Sequence, residues 1–314
     1  MKKTAKKNNL LENRALYKII MKSLSKKILT SLSLLLICGI VGSAQEQDCG
    51  KTDYECQVAK ATKQISASPT DSEPYYARGR AFSFLQKNDQ AIADLTKYIN
   101  SNPKKEYLAD GYNERAVSYK QKGQYSQALS DYTTAINLVP NKVLFLSNRG
   151  RLYNIQKAWD LAIPDLNKVV TLEPDRAGTY VDRGRGYMGK KDYVSALADF
   201  DAAIKLDPND AEAYYNSSII YAARNEYERA IEGYDKYISL NTTNIPYLSD
   251  GYQNRALVYA ALGNYDRALK DLQTAIDLDP KDPSPYRSRA ALYRKQGKTA
   301  LAEVDERKAA SLKK

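Results

Sequence analysis

The sequence predicts an all-α solenoid: about seven helix–turn–helix units stacked in series, with a partial unit ahead of them. Three observations predict it. Prolines recur at a fixed interval, with Pro69 to Pro103, Pro140 to Pro174 and Pro174 to Pro208 each 34 residues apart, and Pro280 closing the same pattern later. Whole phrases return, as in "GRGYMGKKDYVSALADFDAAIKLDP" at 184–208 and "ALVYAALGNYDRALKDLQTAIDLDP" at 256–280. Small and aromatic residues fall at i, i+4 and i+7, the spacing of one helix face. A fixed period of this kind marks an array in which each unit buries its apolar face against its neighbours.

Residues 1–44 come first. Lys2, Lys3, Lys6, Lys7, Arg14, Lys18, Lys22, Lys26 and Lys27 face a single acid, Glu12. Within "MKSLSKKILTSLSLLLICGIVGSAQEQ" (21–47), a basic segment ends at Lys27, an apolar stretch runs from Ile28 to Val41, and Gly42-Ser43-Ala44 follows. This is the pattern of a secretory signal cleaved after Ala44, with Met21 a candidate start. The apolar run falls short of the roughly 20 residues that span a bilayer, so a retained anchor is the weaker reading. Ile37 sits where a lipid-modified cysteine at Cys38 would want a small residue before it. The expectation is an exported chain, periplasmic or envelope-associated.

The segment 45–71 carries the two cysteines that cleavage leaves, Cys49 and Cys56. On a continuous helix seven residues rise about 10.5 Å, too far for the 5.5–6 Å typical of disulfide Cα atoms. A bridge therefore requires Cys49 in a loop folded back, at Gly50, on a helix starting near Asp53; two free thiols are the alternative. Residues 53–69 read as the second helix of a partial unit, with Tyr54, Val58 and Ile65 on its apolar face.

The solenoid occupies 72–314, with units beginning at 72, 109, 143, 177, 211, 249 and 283. Tyrosine opens the first helix in six of them: Tyr75, Tyr112, Tyr180, Tyr214, Tyr252 and Tyr286. A small residue follows four on (Gly79, Ala116, Gly150, Gly184, Ser218, Ala256, Ala290), then an aromatic (Phe82, Tyr119, Tyr153, Tyr187, Tyr221, Tyr259, Tyr293). An alanine starts the buried face of each second helix: Ala91, Ala128, Ala162, Ala196, Ala230, Ala268 and Ala302. Small residues opposite aromatics let two antiparallel helices approach closely, and proline ends the second helix. Glu306 replaces the Leu or aromatic of the other units, as is expected of a capping unit.

These residues resemble the tetratricopeptide repeat. The resemblance implies a right-handed superhelix with a concave groove, and a protein-interaction scaffold rather than an enzyme. It also places groove-facing residues on the first helices: Tyr76, Arg80, Arg151, Arg185, Tyr215, Ile219, Ala222, Leu257 and Ala260, with Ala223, Ala261 and Ala291 beside them. The groove would change from basic to apolar along the chain. Exposed apolar surface of this kind marks an interaction site, unless curling or a terminal segment shields it. The Lys/Asn pattern by which some relatives clamp chaperone tails is missing, since no lysine occupies the corresponding positions of the first three units.

Two finer features follow. Six units carry Arg in the first helix and Asp in the second: Arg78 and Asp94, Arg115 and Asp131, Arg149 and Asp165, Arg183 and Asp199, Arg255 and Asp271, Arg289 and Asp305. The unit lacking Arg (Ser217) is the one lacking Asp (Gly233). A bridge within each unit is expected, contributing about 0–1 kcal/mol if part-exposed; anion binding by the arginines is the alternative. Pro164 lies inside a second helix, so with Asp160 as its N-cap a kink or late start is expected.

The phrase "YLADGYNERA" (107–116) returns as "YLSDGYQNRA" (247–256). Each copy follows a second helix with Tyr98 or Tyr237 where others have Ala135, Val169, Ala203, Ala275 or Ala309. Extra residues, Tyr107-Leu108 and Tyr247-Leu248 among them, lie between that helix and the next unit. A longer linker would set the next unit further off, with Asp110 and Asp250 capping the helices that begin there. A ligand cleft at each widened joint is the second reading.

The function classes narrow accordingly. The formal charge is +11, but residues 1–44 supply most of it and the remainder carries only +3, which does not argue for nucleic acid. Histidine is missing altogether, which removes the commonest general base and metal ligand. No cofactor, no metal and no catalytic residue is expected. The partner is a protein or peptide, and membrane contact is expected only through an uncleaved signal. A structural subunit of an envelope complex, using convex face and edges, is the first alternative; an enzyme is a distant one.

Overall fold

The computed structural model describes residues 49–241 and 243–312. The signal pattern of 1–44 lies outside them. The described residues fall into two compact units that divide between Lys60 and Ala61. They contain fifteen α-helices and no strand.

In the N-terminal unit Cys49 and Cys56 are joined by a disulfide with Cα atoms 5.7 Å apart. The loop folds back as the spacing requires. The Asp53 N–H donates to the Gly50 carbonyl at 3.0 Å, and Asp53 Oδ1 accepts from the Cys56 N–H at 2.9 Å. Helix α1 then runs Tyr54–Ala67.

Seven helix pairs follow: α2 (Glu73–Phe84) with α3 (Asn88–Asn100), α4 (Lys105–Gln121) with α5 (Tyr125–Leu138), α6 (Val143–Ile155) with α7 (Trp159–Leu172), α8 (Ala177–Gly189) with α9 (Tyr193–Leu206), α10 (Ala211–Ala223) with α11 (Tyr227–Leu240), α12 (Ile245–Ala261) with α13 (Tyr265–Leu278), and α14 (Pro283–Lys295) with α15 (Thr299–Ser311). All seven second-helix alanines, from Ala91 to Ala302, are fully buried. The small residues opposite them are needed. A Cβ at Gly79 would stand 2.8 Å from Leu95, at Gly150 2.9 Å from Leu166, and at Gly184 2.7 Å from Phe200.

Each pair turns in the same way. One residue takes positive φ (Gln86, Gly123, Lys157, Lys191, Asn225, Gly263, Gly297). The next N–H then reaches back to the carbonyl of the unit's aromatic, as in Lys87 to Phe82 and Ala158 to Tyr153, both 2.9 Å. This is a Schellman closure. A side chain in the left-handed region costs about 1–2 kcal/mol that glycine avoids. Lys157→Gly and Lys191→Gly should therefore each raise stability by about 1 kcal/mol in urea titration.

The Arg–Asp pairs form in all six units and are more enclosed than expected. Each is bidentate: Arg183 Nε donates to Asp199 Oδ2 at 2.9 Å and Nη2 to Oδ1 at 2.6 Å. The aspartates are buried, between 4% and 7% exposed. The third guanidinium nitrogen crosses to the preceding second helix, donating to Thr62, Thr96, Thr133, Asn167, Asp235 or Gln273. Aromatic rings of the same helix flank the guanidinium, Tyr180 at 5.6 Å and Tyr187 at 6.0 Å around Arg183. Each arginine thus ties three helices. The carboxylate bond holds the proton of Arg183 more tightly than in free arginine. In the exceptional unit Ser217 bonds its own helix at the Tyr214 carbonyl. There Arg229 stands 4.0 Å over Tyr221, and Gly233 leaves room for Ser218 Oγ.

Three expectations are corrected. The inserted residues before the second and sixth pairs are helical, so α4 and α12 begin at Lys105 and Ile245 and are each 17 residues long. Asp110 and Asp250 lie inside these helices, and Lys104 and Asn244 are the N-caps. The N-cap of α7 is Ala158, not Asp160, and α7 starts in step with its siblings, with Pro164 as its sixth residue. Pro164 is exposed, so the Asp160 carbonyl that loses its helical donor faces the solvent side, where water can satisfy it.

The joints after Tyr98 and Tyr237 owe their form to glycine. A Cβ at Gly111 would lie 2.9 Å from the Tyr98 ring, and one at Gly251 2.9 Å from the Tyr237 ring. At the equivalent joint between α5 and α6, small Ala135 shares a buried cluster with large Phe145. Ring and methyl have exchanged places across the joint. The phrase recurs because "DGY" supplies the glycine that a tyrosine on the preceding helix needs.

Candidate functional site

Successive first helices pack on one another, while successive second helices do not. The first helices therefore form the inner face of the array. One neighbouring pair of first helices, α10 and α12, packs less closely than the others, though Val258 of α12 still joins the buried cluster of Ile220 and Tyr221. At both Tyr-bearing joints the second helix packs closely on the lengthened helix that follows, so the next unit is not set off from it as expected; the wider spacing is between the first helices α10 and α12 alone.

A cavity of about 280 Å³ opens where α10 and α12 part. Ile219 and Ala222 of α10, Tyr227 and Tyr234 of α11, and Leu257, Val258 and Ala261 of α12 line it, with Asn254 as a polar lining residue. Asn254 donates to Tyr215 Oη at 3.2 Å, so Tyr215 borders the cavity rather than lining it. Leu257 is 47% exposed. Ile219 and Ala222 are half-buried against the core, and Ala260 packs instead against the buried cluster of Ala256, Ala268, Leu272 and Leu292. Tyr215 also packs on Tyr237, ring centroids 4.8 Å apart. Burial raises the affinity of the Tyr215 hydroxyl for its proton, so the edge is neutral.

The groove arginines are not a free basic surface, which corrects the expected change from basic to apolar. Arg80 lies 3.8 Å from Glu114, Arg151 donates to Asp182 at 2.5 Å, and Arg185 to Glu212 at 2.9 Å. Each partner sits on the next first helix. Sequence reading missed these acids because they lie one unit further on. Tyr76 stacks on Tyr98, centroids 4.8 Å apart, with Arg80 5.7 Å above its ring.

A second cavity, about 310 Å³, lies among these charges, lined by Lys120, Arg151, Asn154, Asp182, Arg185 and Glu212 among others. Burial and Arg151 lower the proton affinity of Lys120, while burial pushes the Asp182 carboxyl above its usual range against the pull of Arg151. Cations and carboxylates alternate there, so this part of the face is polar and internally paired. Among the described residues no helix is long and apolar enough to cross a membrane, and no group of His, Cys, Asp and Glu is placed to hold a metal.

Comparison with known proteins gives concordant matches. Residues 256–297 match a family model described as TPR repeat. Residues 181–245, 109–142 and 72–105 match models described as tetratricopeptide repeat. An uncharacterized protein ycf37 of Guillardia theta is 28% identical over 138 residues, 42% of this chain and 77% of that protein. A tetratricopeptide repeat protein from Parabacteroides merdae superposes with TM-score 0.61 at 20% identity, covering 84% of this chain and 94% of that one. The structure of the APC/C hetero-tetramer Cut9–Hcn1 gives TM-score 0.62 at 15% identity, over 87% of this chain and 54% of that one. Identities this low speak to the fold alone.

Proposed function

Because the chain is a tetratricopeptide-repeat protein, a family of interaction scaffolds, we propose that it binds a segment of a partner protein along the face of its first helices. The observation that carries this reading is the apolar cavity between α10 and α12. Ile219 and Leu257 line it where neighbouring first helices part, and Leu257 is about half open to solvent. An apolar side chain entering there gains about 25 cal/mol per Å² of surface removed from water. The paired charges of Arg151, Asp182, Arg185 and Glu212 would then align the rest of the segment and fix its register.

Export belongs to the same proposal. The basic–apolar–small pattern ending at Ala44 motivates it, and mature protein isolated from its native host should begin at Gln45. Intact-mass measurement checks this: a chain retaining residues 21–44 would mean an anchor, and lipid on Cys38 a different signal class.

Leu257→Asp should lower partner affinity at least tenfold, with helicity and melting unchanged, because the side chain already faces water. Ile219→Asp should do the same at a cost of about 1–3 kcal/mol in stability, since this side chain also packs on the core. If both variants bind normally with the fold intact, the chain acts as a structural subunit through its second helices and edges.

A further inference from the structure

We propose that the two Tyr–Gly joints carry a duplicated notch for a basic side chain of a partner, the ammonium of lysine or the guanidinium of arginine. This goes beyond the apolar anchor and shares with that reading only Glu212 of the paired charges and Tyr215 at the border of the cavity. The same constellation occurs twice and in no other unit. The first helix before the joint presents Glu73 and Tyr76, or Glu212 and Tyr215. The second helix presents Tyr98 or Tyr237. The lengthened helix after the joint presents Tyr107 and Asp110, or Tyr247 and Asp250.

Helical spacing brings these groups together. Tyr107, Asp110 and Gly111 stand at i, i+3 and i+4, one stripe of α4. Gly111 abuts the Tyr98 ring, and that ring stacks on Tyr76 of α2. The stripes of α2 and α4 therefore converge on Tyr98. The second joint repeats this with Gly251, Tyr237 and Tyr215.

The chemistry of the notch suits a cation. Among the described residues neither the Asp110 nor the Asp250 carboxylate forms an ion pair or a hydrogen bond. Tyr98 and Tyr237 are 1% and 6% exposed, and their hydroxyls have no hydrogen-bond partner among the described residues. Burial, and after it the nearby acids, Glu73 and Asp110 at the first joint and Asp250 and Glu212 at the second, raise the proton affinity of both tyrosine hydroxyls. Tyr107 and Tyr247 stand at the rim, about half exposed. Carboxylates outnumber guanidinium groups at each joint, with Arg80 engaging Glu114 and Arg185 engaging Glu212. Asp250 lies near another acid, Asp282, and burial pushes its carboxyl above the usual range. A carboxylate beside aromatic faces is an environment for a cation. The chain builds it six times around its own arginines, as at Arg183 with Asp199 and Tyr180.

The test is calorimetric titration of the full chain with the peptide acetyl-(Gly-Lys)4-amide. Two saturable sites are expected, and the glutamate counterpart should not bind. Asp110→Asn and Asp250→Asn should each weaken one site about tenfold, and together they should abolish saturable binding with melting unchanged. Tyr107→Ala, at an exposed rim position, should weaken the first site without affecting the fold. Asp266→Asn, on a second helix away from both joints, should change nothing. Unchanged binding in the Asp110→Asn/Asp250→Asn double variant overturns the proposal. An equal loss with Asp266→Asn also overturns it, because attraction would then be diffuse. Leu257→Asp should leave the lysine peptide bound, so failure of this notch and failure of the apolar anchor are separately visible.

Discussion

Arg183→Ala should cost about 3 kcal/mol, several times what an exposed ion pair contributes. The change strands Asp199, which is 4% exposed, with both carboxylate oxygens deprived of their donors. It also removes the bond to Asn167 that ties the unit to the preceding second helix. Removing the carboxylate as well relieves the stranded charge, so Arg183→Ala/Asp199→Ala should be milder than the sum of the single changes by about 1–3 kcal/mol. Chemical denaturation of the four proteins measures this. Additive losses would mean that the guanidinium acts by packing alone. The revision upward from about 0–1 kcal/mol follows from burial, which the spacing of Arg and Asp in a sequence does not reveal.

Gly111→Phe should cost about 3 kcal/mol or more, because no space exists for a side chain against the Tyr98 ring. Tyr98→Ala should cost about 3–5 kcal/mol by leaving a ring-sized cavity in a site that is 1% exposed. The double variant recreates the Ala135–Phe145 arrangement of the next joint. It should recover about 2 kcal/mol or more of the summed loss. Urea titration of the three variants checks this, and simple additivity would show that the residues do not occupy one shared space. The same swap at Tyr237 and Gly251 is an independent replicate.

Much of the array was legible because seven copies of one unit align with each other. Any residue that recurs in step, such as Ala91 and its six counterparts, declares a shared packing role. The Arg–Asp pairs were legible for the same reason, and Ser217 with Gly233 made the correlation visible. What did not recur in type stayed hidden. The third partner of each arginine is Thr62, Thr96, Thr133, Asn167, Asp235 or Gln273, a varied set that shares only a position. Glu114 and Asp182 share a position with Asn148 and Asn216, so the charges that neutralise the groove arginines showed no pattern. The extra residues before Gly111 and Gly251 look like linkers in the sequence because a frame of fixed period counts insertions as loops. The clue was local: Tyr107, Asp110 and Gly111 already stand at helical spacing. The cavity between α10 and α12 depends on how far two helices stand apart, and no residue encodes that distance by itself.

The central claim is that the partner lies along the first helices and over the α10–α12 cavity. Photo-crosslinking in the native host addresses it directly. A benzophenone amino acid is placed at Leu257 on the first-helix face, or at Val194 and Val304 on second helices, which are 76% and 54% exposed. Irradiation should yield a discrete adduct of one partner from position 257 and none from 194 or 304. An adduct from position 194 or 304, with none from 257, would contradict the claim and assign the interaction to the opposite face.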